Sequence, residues 1–263
     1  MSGSLLRFCS LGSGSSGNGT VVEAGGGVRP TRVLIDCGFT LRELDARLSR
    51  IALAPSDLDA VFVTHEHGDH AGSALALARR DRIPVWMSRG TWRALGELER
   101  PDTLRFARDG EPIAIGALEL HPFTVAHDAE EPLQLRCRHA QRQLGVLTDA
   151  GSITPHLIAN LQGLDALLLE CNHDRSLLEA SRYPPSLKAR IGGRWGHLAN
   201  DTAAEILAAC LHEGLRHLVA AHLSRENNRP DLVRASLARA WHPARGDIVI
   251  ADPEHGFEWI AID

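Results

Sequence analysis

Apolar positions along this chain fall into short runs that are separated by glycine-rich or polar turns. A spacing of three and four between Leu41, Leu44, Leu48 and Ile51 predicts a helix over 40–51. In the rest of the first half, an Ala/Leu-rich stretch predicts a helix over 71–80, and apolar runs predict strands over 5–11, 20–24, 32–37, 60–64 and 84–87.

The second half repeats this organisation. Apolar runs predict strands over 113–125, 133–137, 144–148, 164–171, 215–223, 248–251 and 257–262. Helices are predicted over 201–213, with Asn200 or Asp201 as the N-cap, and over 231–241. Each half of the chain thus consists of several strands followed by helices. This order predicts a sandwich of two mixed sheets with outer helices, formed by a single domain over 1–263.

Composition and charge narrow the function classes. The chain is 44% hydrophobic and 23% charged, with a net charge of −5, so contact with nucleic acid requires a local basic patch. The five cysteines form no C-x-x-C pair, which argues against a disulfide framework and a cysteine zinc site. The N-terminus does not resemble a signal peptide, and no apolar stretch approaches the ~20 residues of a membrane span. We therefore expect a cytoplasmic protein without a membrane partner.

Residues 12–17 read Gly-Ser-Gly-Ser-Ser-Gly, which matches the G-x-G-x-x-G pattern of dinucleotide sites. That pattern must be followed by a helix, whereas residues 18–22 here are strand-like. We therefore predict a tight loop whose exposed backbone N–H groups line a different kind of site. Ser15 and Asn18 are its candidate substrate contacts.

The stretch Val63–His70 reads VTHEHGDH and directly follows the predicted strand 60–64. It carries four potential metal ligands in six residues: His65, His67, Asp69 and His70. Imidazole and carboxylate groups suit zinc, manganese or iron. The alternative is a solvated histidine-rich turn.

Other strand ends carry the same kinds of side chain. Asp36, His127, Asp149 and His222 each follow an apolar run. Any one of them alone would be read as a cap or turn residue. The repetition of the pattern at five strand ends favours one shared metal site.

The pattern H-x-H-x-D-H over 65–70 resembles the signature of the metallo-β-lactamase superfamily, and the flanking candidates match its order over essentially the whole chain. This resemblance implies a four-layer αβ/βα sandwich with the site at one edge between the sheets. It implies one divalent ion held by His65, His67, His127 and Asp149, and a second held by Asp69, His70, Asp149 and His222. Asp36 would orient the ligands from behind, and two such cations activate water for hydrolysis.

Four further stretches are similar to the YycJ/WalJ (VicX) family of that superfamily. They read LGSGSSGN at 11–18, LLECNHD at 168–174, RYPPSLKARIGGRWGHLAND at 182–201 and AHLSRENN at 221–228. Cys171 and Ala199 stand where serine is expected. The resemblance implies a DNA exonuclease that digests in the 5′-to-3′ direction.

Residues 182–200 contain four basic residues, no acidic residue and the aromatic side chains of Tyr183 and Trp195. Pro184-Pro185 and Gly192-Gly193 predict a loop there. We expect it to bind a phosphodiester backbone through Lys188, Arg190 and Arg194, although a solvated loop with incidental charge is the alternative.

The remaining candidates lie near the predicted metal site. Asp69, His173 and His197 are predicted to act in catalysis; either histidine would hold a phosphate oxygen or protonate the leaving 3′-oxygen. Asn172, Asn200 and Asn227 are predicted to orient the phosphate. As alternatives, Asn172 and Asn200 are turn or cap residues and His173 is an ordinary strand-end histidine.

Three other functions compete with a DNA nuclease. A thioesterase or other small-molecule hydrolase on this fold would not need the basic segment. An RNA-processing nuclease of the β-CASP type would need a large insertion between Asp149 and His222, where too few residues are available. A non-enzymatic binding module is disfavoured because buried carboxylates and imidazoles without a metal would destabilise the fold.

Overall fold

The computed structural model describes residues 5–25, 29–96 and 99–262, and these contain two seven-stranded mixed sheets. The strands of the first sheet are β1 (Leu6–Gly12), β2 (Gly19–Ala24), β3 (Thr31–Ile35), β4 (Ala60–Phe62), β5 (Val85–Met87), β6 (Leu104–Phe106) and β14 (Phe257–Ile262). Those of the second sheet are β7 (Ile113–Ile115), β8 (Leu118–Thr124), β9 (Leu133–His139), β10 (Arg142–Leu147), β11 (Ala166–Glu170), β12 (His217–Ala221) and β13 (Val249–Ile250).

Each sheet is antiparallel on one side and parallel on the other. The first has the order β14-β1-β2-β3-β4-β5-β6 and becomes parallel from β3 onward. The second has the order β13-β12-β11-β10-β9-β8-β7 and is parallel from β10 to β13. The carboxyl ends of neighbouring parallel strands therefore meet at one edge of each sheet.

Helices cover the outer face of each sheet. They are α1 (Leu41–Arg50), α2 (Gly68–Ala71), α3 (Ala74–Asp81), α4 (Arg89–Ala94), α5 (Pro155–Asn160), α6 (Arg175–Ala180), α7 (Pro185–Ile191), α8 (Asn200–Cys210) and α9 (Pro230–Leu237). Helix α1 begins where Thr40 and Glu43 form a capping box. No helix of the described residues is long and apolar enough to cross a membrane.

The buried apolar side chains divide into three layers, as the alternation along the strands requires. In β11, Leu168 packs between the two sheets, whereas Leu167 and Leu169 pack outward in the cluster that includes Ile206 and Leu207 of α8. A third cluster packs α1 and α3 on the outside of the first sheet. The predicted four-layer sandwich is confirmed.

Three local predictions are wrong. The run 113–125 forms two strands, β7 and β8, because the chain reverses through Gly116 in a left-handed conformation with φ 53°. Helix α8 starts at Asn200, and its N-cap is Ala199, whose side chain makes no capping hydrogen bond. Neither Asn200 nor Asp201 is therefore the N-cap. The segment 182–200 is not a loop throughout, because α7 lies within it. Pro185 is at the first helical position, where proline costs no hydrogen bond.

Candidate active site

Three imidazoles lie close together at the ends of β4 and β8: His65 and His67 follow β4, and His127 follows β8. His65 Nε2 lies 3.0 Å from His67 Nδ1, and His127 Nε2 lies 3.3 Å from the same atom. Burial, followed by the charge of the neighbouring His70, holds the pKa of His65 well below its ordinary value, which keeps the ring neutral. Neutral imidazole nitrogens that face one another around one point are suited to a shared cation.

A second group forms where α2 meets the end of β12. Asp69 Oδ2 lies 3.5 Å from His70 Nε2 and 3.5 Å from His222 Nε2. Burial opposes ionisation of Asp69, but the proximity of His222 and the positive charges of His222 and His70 outweigh it and lower the pKa of this carboxyl to about 2. Asp69 is therefore an anion at neutral pH.

Asp149, two residues after β10, lies between the two groups. Its Oδ2 is 2.9 Å from His70 Nε2, and its Oδ1 is 3.1 Å from His222 Nδ1 and 3.9 Å from His127 Nε2. The side chain is buried, and neither oxygen accepts a hydrogen bond of normal geometry from the described residues. A buried carboxylate left in this state is costly unless a cation satisfies it.

Polar side chains behind the cluster fix its orientation. Asp36 Oδ2 lies 2.7 Å from His70 Nδ1, so that Nε2 of that ring points toward Asp149. The other oxygen of Asp36 accepts a hydrogen bond from the Thr64 amide at 2.8 Å, and Thr64 Oγ1 is 2.9 Å from His65 Nδ1. Ligand orientation of this kind is typical of protein metal sites.

The backbone at two of these strand ends is strained. Asp36 has φ 63° and His222 has φ 56°, a left-handed conformation that costs non-glycine residues of the order of 1–3 kcal/mol each. The His222 amide donates a hydrogen bond to Ser13 Oγ at 2.8 Å, which helps to hold this conformation. Such strain concentrates at functional sites.

The seven residues predicted as metal ligands are thus brought together by the fold. Sets of three to four donor atoms lie within 4.8 Å of one another, among them His65–His67–His127 and Asp69–His70–His222. The unsatisfied Asp149 oxygens and an unpartnered His222 Nε2 fit a cation-binding centre. Imidazole and carboxylate donors of this kind suit divalent metal ions, and the residues present fit such ions.

Sequence reasoning missed Glu170, the last residue of β11. Its buried Oε2 accepts hydrogen bonds from the amides of Ala150 at 2.9 Å and Leu198 at 3.2 Å. Its Oε1 lies 2.7 Å from His197 Nδ1 and 3.4 Å from His222 Nδ1. Glu170 therefore links the loop that carries Asp149 to two histidines.

A cavity lies over the histidine and aspartate cluster and is called the catalytic cavity below; His67, Asp69, Asp149, His197 and His222 are among its lining residues. His197 Nδ1 lies 3.1 Å from Asp149 Oδ1. Burial alone would lower the pKa of this ring, but the adjacent Glu170 and Asp149 carboxylates raise it to about 9. His173 differs, because burial lowers its pKa to about 4 and neither ring nitrogen has a hydrogen-bond partner among the described residues. His173 is not among the residues that line the cavity.

The catalytic cavity has a volume of about 410 Å³ and opens over the cluster. Of the predicted substrate contacts, Ser15 and Arg190 line it, and Arg190 Nε pairs with Asp128 at 2.5 Å. Lys188 instead donates to the Glu179 carbonyl oxygen at 2.6 Å, and the Arg194 guanidinium lies over the Trp195 ring.

The four predicted asparagines are buried and bonded within the protein. Asn18 Nδ2 donates to Asp69, Asn172 Nδ2 donates to the His222 carbonyl, Asn200 pairs with Asn228, and Asn227 donates to Ser224 Oγ. None lines the catalytic cavity, so that their contact with substrate stays a prediction.

Two mixed sheets covered by helices, with a histidine and aspartate cluster at their carboxyl edge, define the class of metallo-β-lactamase-fold proteins. The family model described as Beta-lactamase superfamily domain matches residues 31–223. The metallo-β-lactamase-fold protein YhfI from Bacillus subtilis superposes with a TM-score of 0.74, at 18% identity, covering 98% of this chain and 99% of that one.

Curated relatives narrow the class. Exodeoxyribonuclease YycJ of Bacillus anthracis is 33% identical over 237 residues, which are 89% of this chain and 88% of the relative. Exodeoxyribonuclease WalJ of Streptococcus pneumoniae serotype 2 (strain D39 / NCTC 7466) is 30% identical over 238 residues, 88% and 87% of the two chains. The chain belongs to the metallo-β-lactamase superfamily and, within it, to the YycJ/WalJ family.

Proposed function

We propose that this protein is a metal-dependent phosphodiesterase that digests DNA as a 5′-to-3′ exonuclease. The observation that carries the proposal is the group of six imidazole and carboxylate side chains gathered around the buried Asp149, at the base of an open cavity. Arg190 and Tyr183 on the wall of that cavity provide charge and an aromatic face for a nucleic-acid strand. The names of the two curated relatives support DNA as the substrate, and such a substrate agrees with a cytoplasmic location.

The centre would hold two divalent cations, Zn²⁺, Mn²⁺ or Fe²⁺. One set of ligands is His65, His67, His127 and Asp149, and the other is Asp69, His70, Asp149 and His222, with Asp149 shared. When bound, such a pair activates water for hydrolysis and neutralises the charge that develops on an attacked phosphoryl oxygen.

The chain's own residues orient the reaction around this centre. Asp69 lines the cavity and positions the attacking water. His197 has Nδ1 bonded to Glu170, which leaves Nε2 as the nitrogen that donates a proton to the leaving 3′-oxygen. Arg190, held by Asp128, contacts the phosphate backbone. A catalytic role for His173 requires it to reach the substrate from its buried position.

A gel assay tests this function. The purified protein, with added Mn²⁺ or with EDTA, is given 5′- and 3′-labelled single-stranded DNA, double-stranded DNA and RNA of one sequence. We expect metal-dependent release of mononucleotides from the DNA 5′ end. Cleavage of RNA alone would replace DNA by RNA as the substrate. No cleavage of any nucleic acid by metal-loaded protein would contradict the proposal and favour thioesters or other small molecules.

A further inference from the structure

The catalytic cavity adjoins a second cavity of about 300 Å³. Ser15 and Tyr183 line both cavities and form the boundary between them. Beyond this boundary, the second cavity is lined by the loop at Ser16 and by Ser224 and Arg225, which follow the ligand His222 closely in sequence. A nucleic-acid strand bound over the metal centre can therefore extend by one nucleotide directly into the second cavity.

The loop over 12–17 supplies one wall of this cavity and is built around glycines with positive φ, 149° at Gly14 and 142° at Gly17. The Gly14 amide donates to Asn18 Oδ1 at 2.8 Å, which closes the base of the loop. The amides of Ser15 and Ser16, both in exposed residues, donate no hydrogen bond in the described part of the chain. Consecutive free amides in a glycine-rich loop form a site for an anion.

Arg225 adds a charge to the same wall. Its guanidinium lies 3.4 Å from Ser16 Oγ and 3.2 Å from Glu254 Oε1. Both partners of this ion pair are more than half exposed, so that the pair is weak and the guanidinium is free to turn toward a phosphate. Glu226 also lines the cavity, so that the cavity has no excess of positive charge from these two residues. An anion would therefore be bound through hydrogen bonds from the loop amides and the Arg225 guanidinium.

Tyr183 is the only tyrosine of the chain, and its partly exposed side chain stands at the boundary of the two cavities. An aromatic face beside directed phosphate donors is the combination that binds a nucleotide in a single strand. A cavity of about 300 Å³ is large enough for one nucleotide.

We propose that the second cavity is the subsite for the terminal nucleotide of the DNA strand. The 5′-phosphate of that nucleotide is bound by the Ser15 and Ser16 amides and by Arg225, and its base packs on Tyr183. The next phosphodiester then lies in the catalytic cavity, so that one nucleotide is released at a time. This inference rests on the proposed exonuclease function and specifies the end group that the enzyme recognises.

The test compares single-stranded oligonucleotides that carry either a 5′-phosphate or a 5′-hydroxyl. They contain phosphorothioate linkages, and their dissociation constants are measured by fluorescence anisotropy with metal-loaded protein. We expect wild-type protein to bind the 5′-phosphate form about tenfold more tightly, and Arg225→Gln to reduce that ratio to about threefold or less. Arg229→Gln is the matched control, because this exposed arginine pairs with Asp231 and does not line the cavity.

Tyr183 is tested with the same oligonucleotides. Tyr183→Leu should weaken the binding of both about fivefold or more, whereas Tyr183→Phe, which keeps the ring, should stay within about twofold of wild type. The subsite is contradicted if wild type shows no preference for the 5′-phosphate, or if Arg225→Gln behaves like Arg229→Gln. Digestion of DNA without either effect would leave the exonuclease proposal standing, whereas 5′-phosphate preference without cleavage would contradict only the exonuclease proposal.

Discussion

Replacement of Glu170 by glutamine tests how the catalytic cluster is oriented. The change keeps the shape of the side chain but removes its charge. The glutamine carbonyl oxygen can still accept the hydrogen bonds that Oε2 now receives from Ala150 and Leu198. Its NH₂ group must then face His197 Nδ1, 2.7 Å from the present Oε1, and His222 Nδ1, 3.4 Å from it. Two histidines that now face an acceptor would face a donor.

The size of the effect follows from these contacts. Exchange of one charge-assisted hydrogen bond for a neutral one costs about 1 kcal/mol of folding free energy. The larger effect is functional, because loss of a group that orients a metal ligand lowers metal affinity or activity by about 10–100-fold. We therefore expect a small change in Tm and a large change in zinc affinity and in kcat.

Zinc affinity is measured by competition with a chelating dye, and kcat with labelled DNA. Glu23→Gln is the matched control, since Glu23 is equally buried and pairs with Arg7 at 2.6 Å and Arg32 at 2.5 Å, but contacts no histidine of the cluster. Equal zinc affinities and equal kcat values for the two variants would refute the assignment of Glu170 as a positioning residue.

Further predictions concern the shared ligand Asp149, the basic segment 182–200 and acid stability. Asp149→Ala should abolish hydrolysis and metal binding, and activity within about tenfold of wild type, ~1.4 kcal/mol of barrier, would show that Asp149 is not shared. Arg190→Ala should weaken DNA binding and its salt dependence more than the double variant Lys188→Ala/Arg194→Ala, because only Arg190 lines the cavity; salt titrations that rank them in the opposite order would contradict this placement. His173, with its pKa near 4 in the folded protein and near 6.5 when unfolded, takes up a proton on unfolding between these values, so stability falls as pH drops through that window. His173→Gln should therefore lose about 2 kcal/mol less than wild type between pH 7 and pH 5 in urea titrations, and an equal loss in both proteins would exclude His173 as the cause.

Local patterns in the sequence identified the histidine and aspartate candidates that the fold brings together, but not the residues around them. His65, His67, Asp69 and His70 lie within one turn after a strand, so that their proximity follows from spacing alone. Glu170 ends an apolar run, and the nearby His173 does not line the cavity. Its partner His197 is 27 residues away along the chain. Only the pairing of β11 with β12 and the course of the chain after α7 bring these side chains together.

The basic segment shows a different limit of sequence reasoning. Pro184-Pro185 and Gly192-Gly193 indicated a loop, yet they mark the two ends of helix α7, with Pro185 as its first residue and Gly192 as its C-cap. The basic side chains of that helix point in different directions: Arg190 lines the cavity, whereas Lys188 donates a hydrogen bond to a backbone carbonyl of α6. Charge counting along the chain does not reveal which side of a short helix will face the substrate.

The ligand cluster draws its side chains from both sheets, and this has a mechanical consequence. His65 and Asp69 follow β4 of the first sheet, whereas Asp149 and His222 follow β10 and β12 of the second. A cation held by such a set of ligands would cross-link the two sheets of the sandwich. Cation binding would then stabilise the folded protein by an amount that grows with the logarithm of free metal concentration. Chelation should loosen the contact between the sheets at this edge first, before the apolar layers within each half give way.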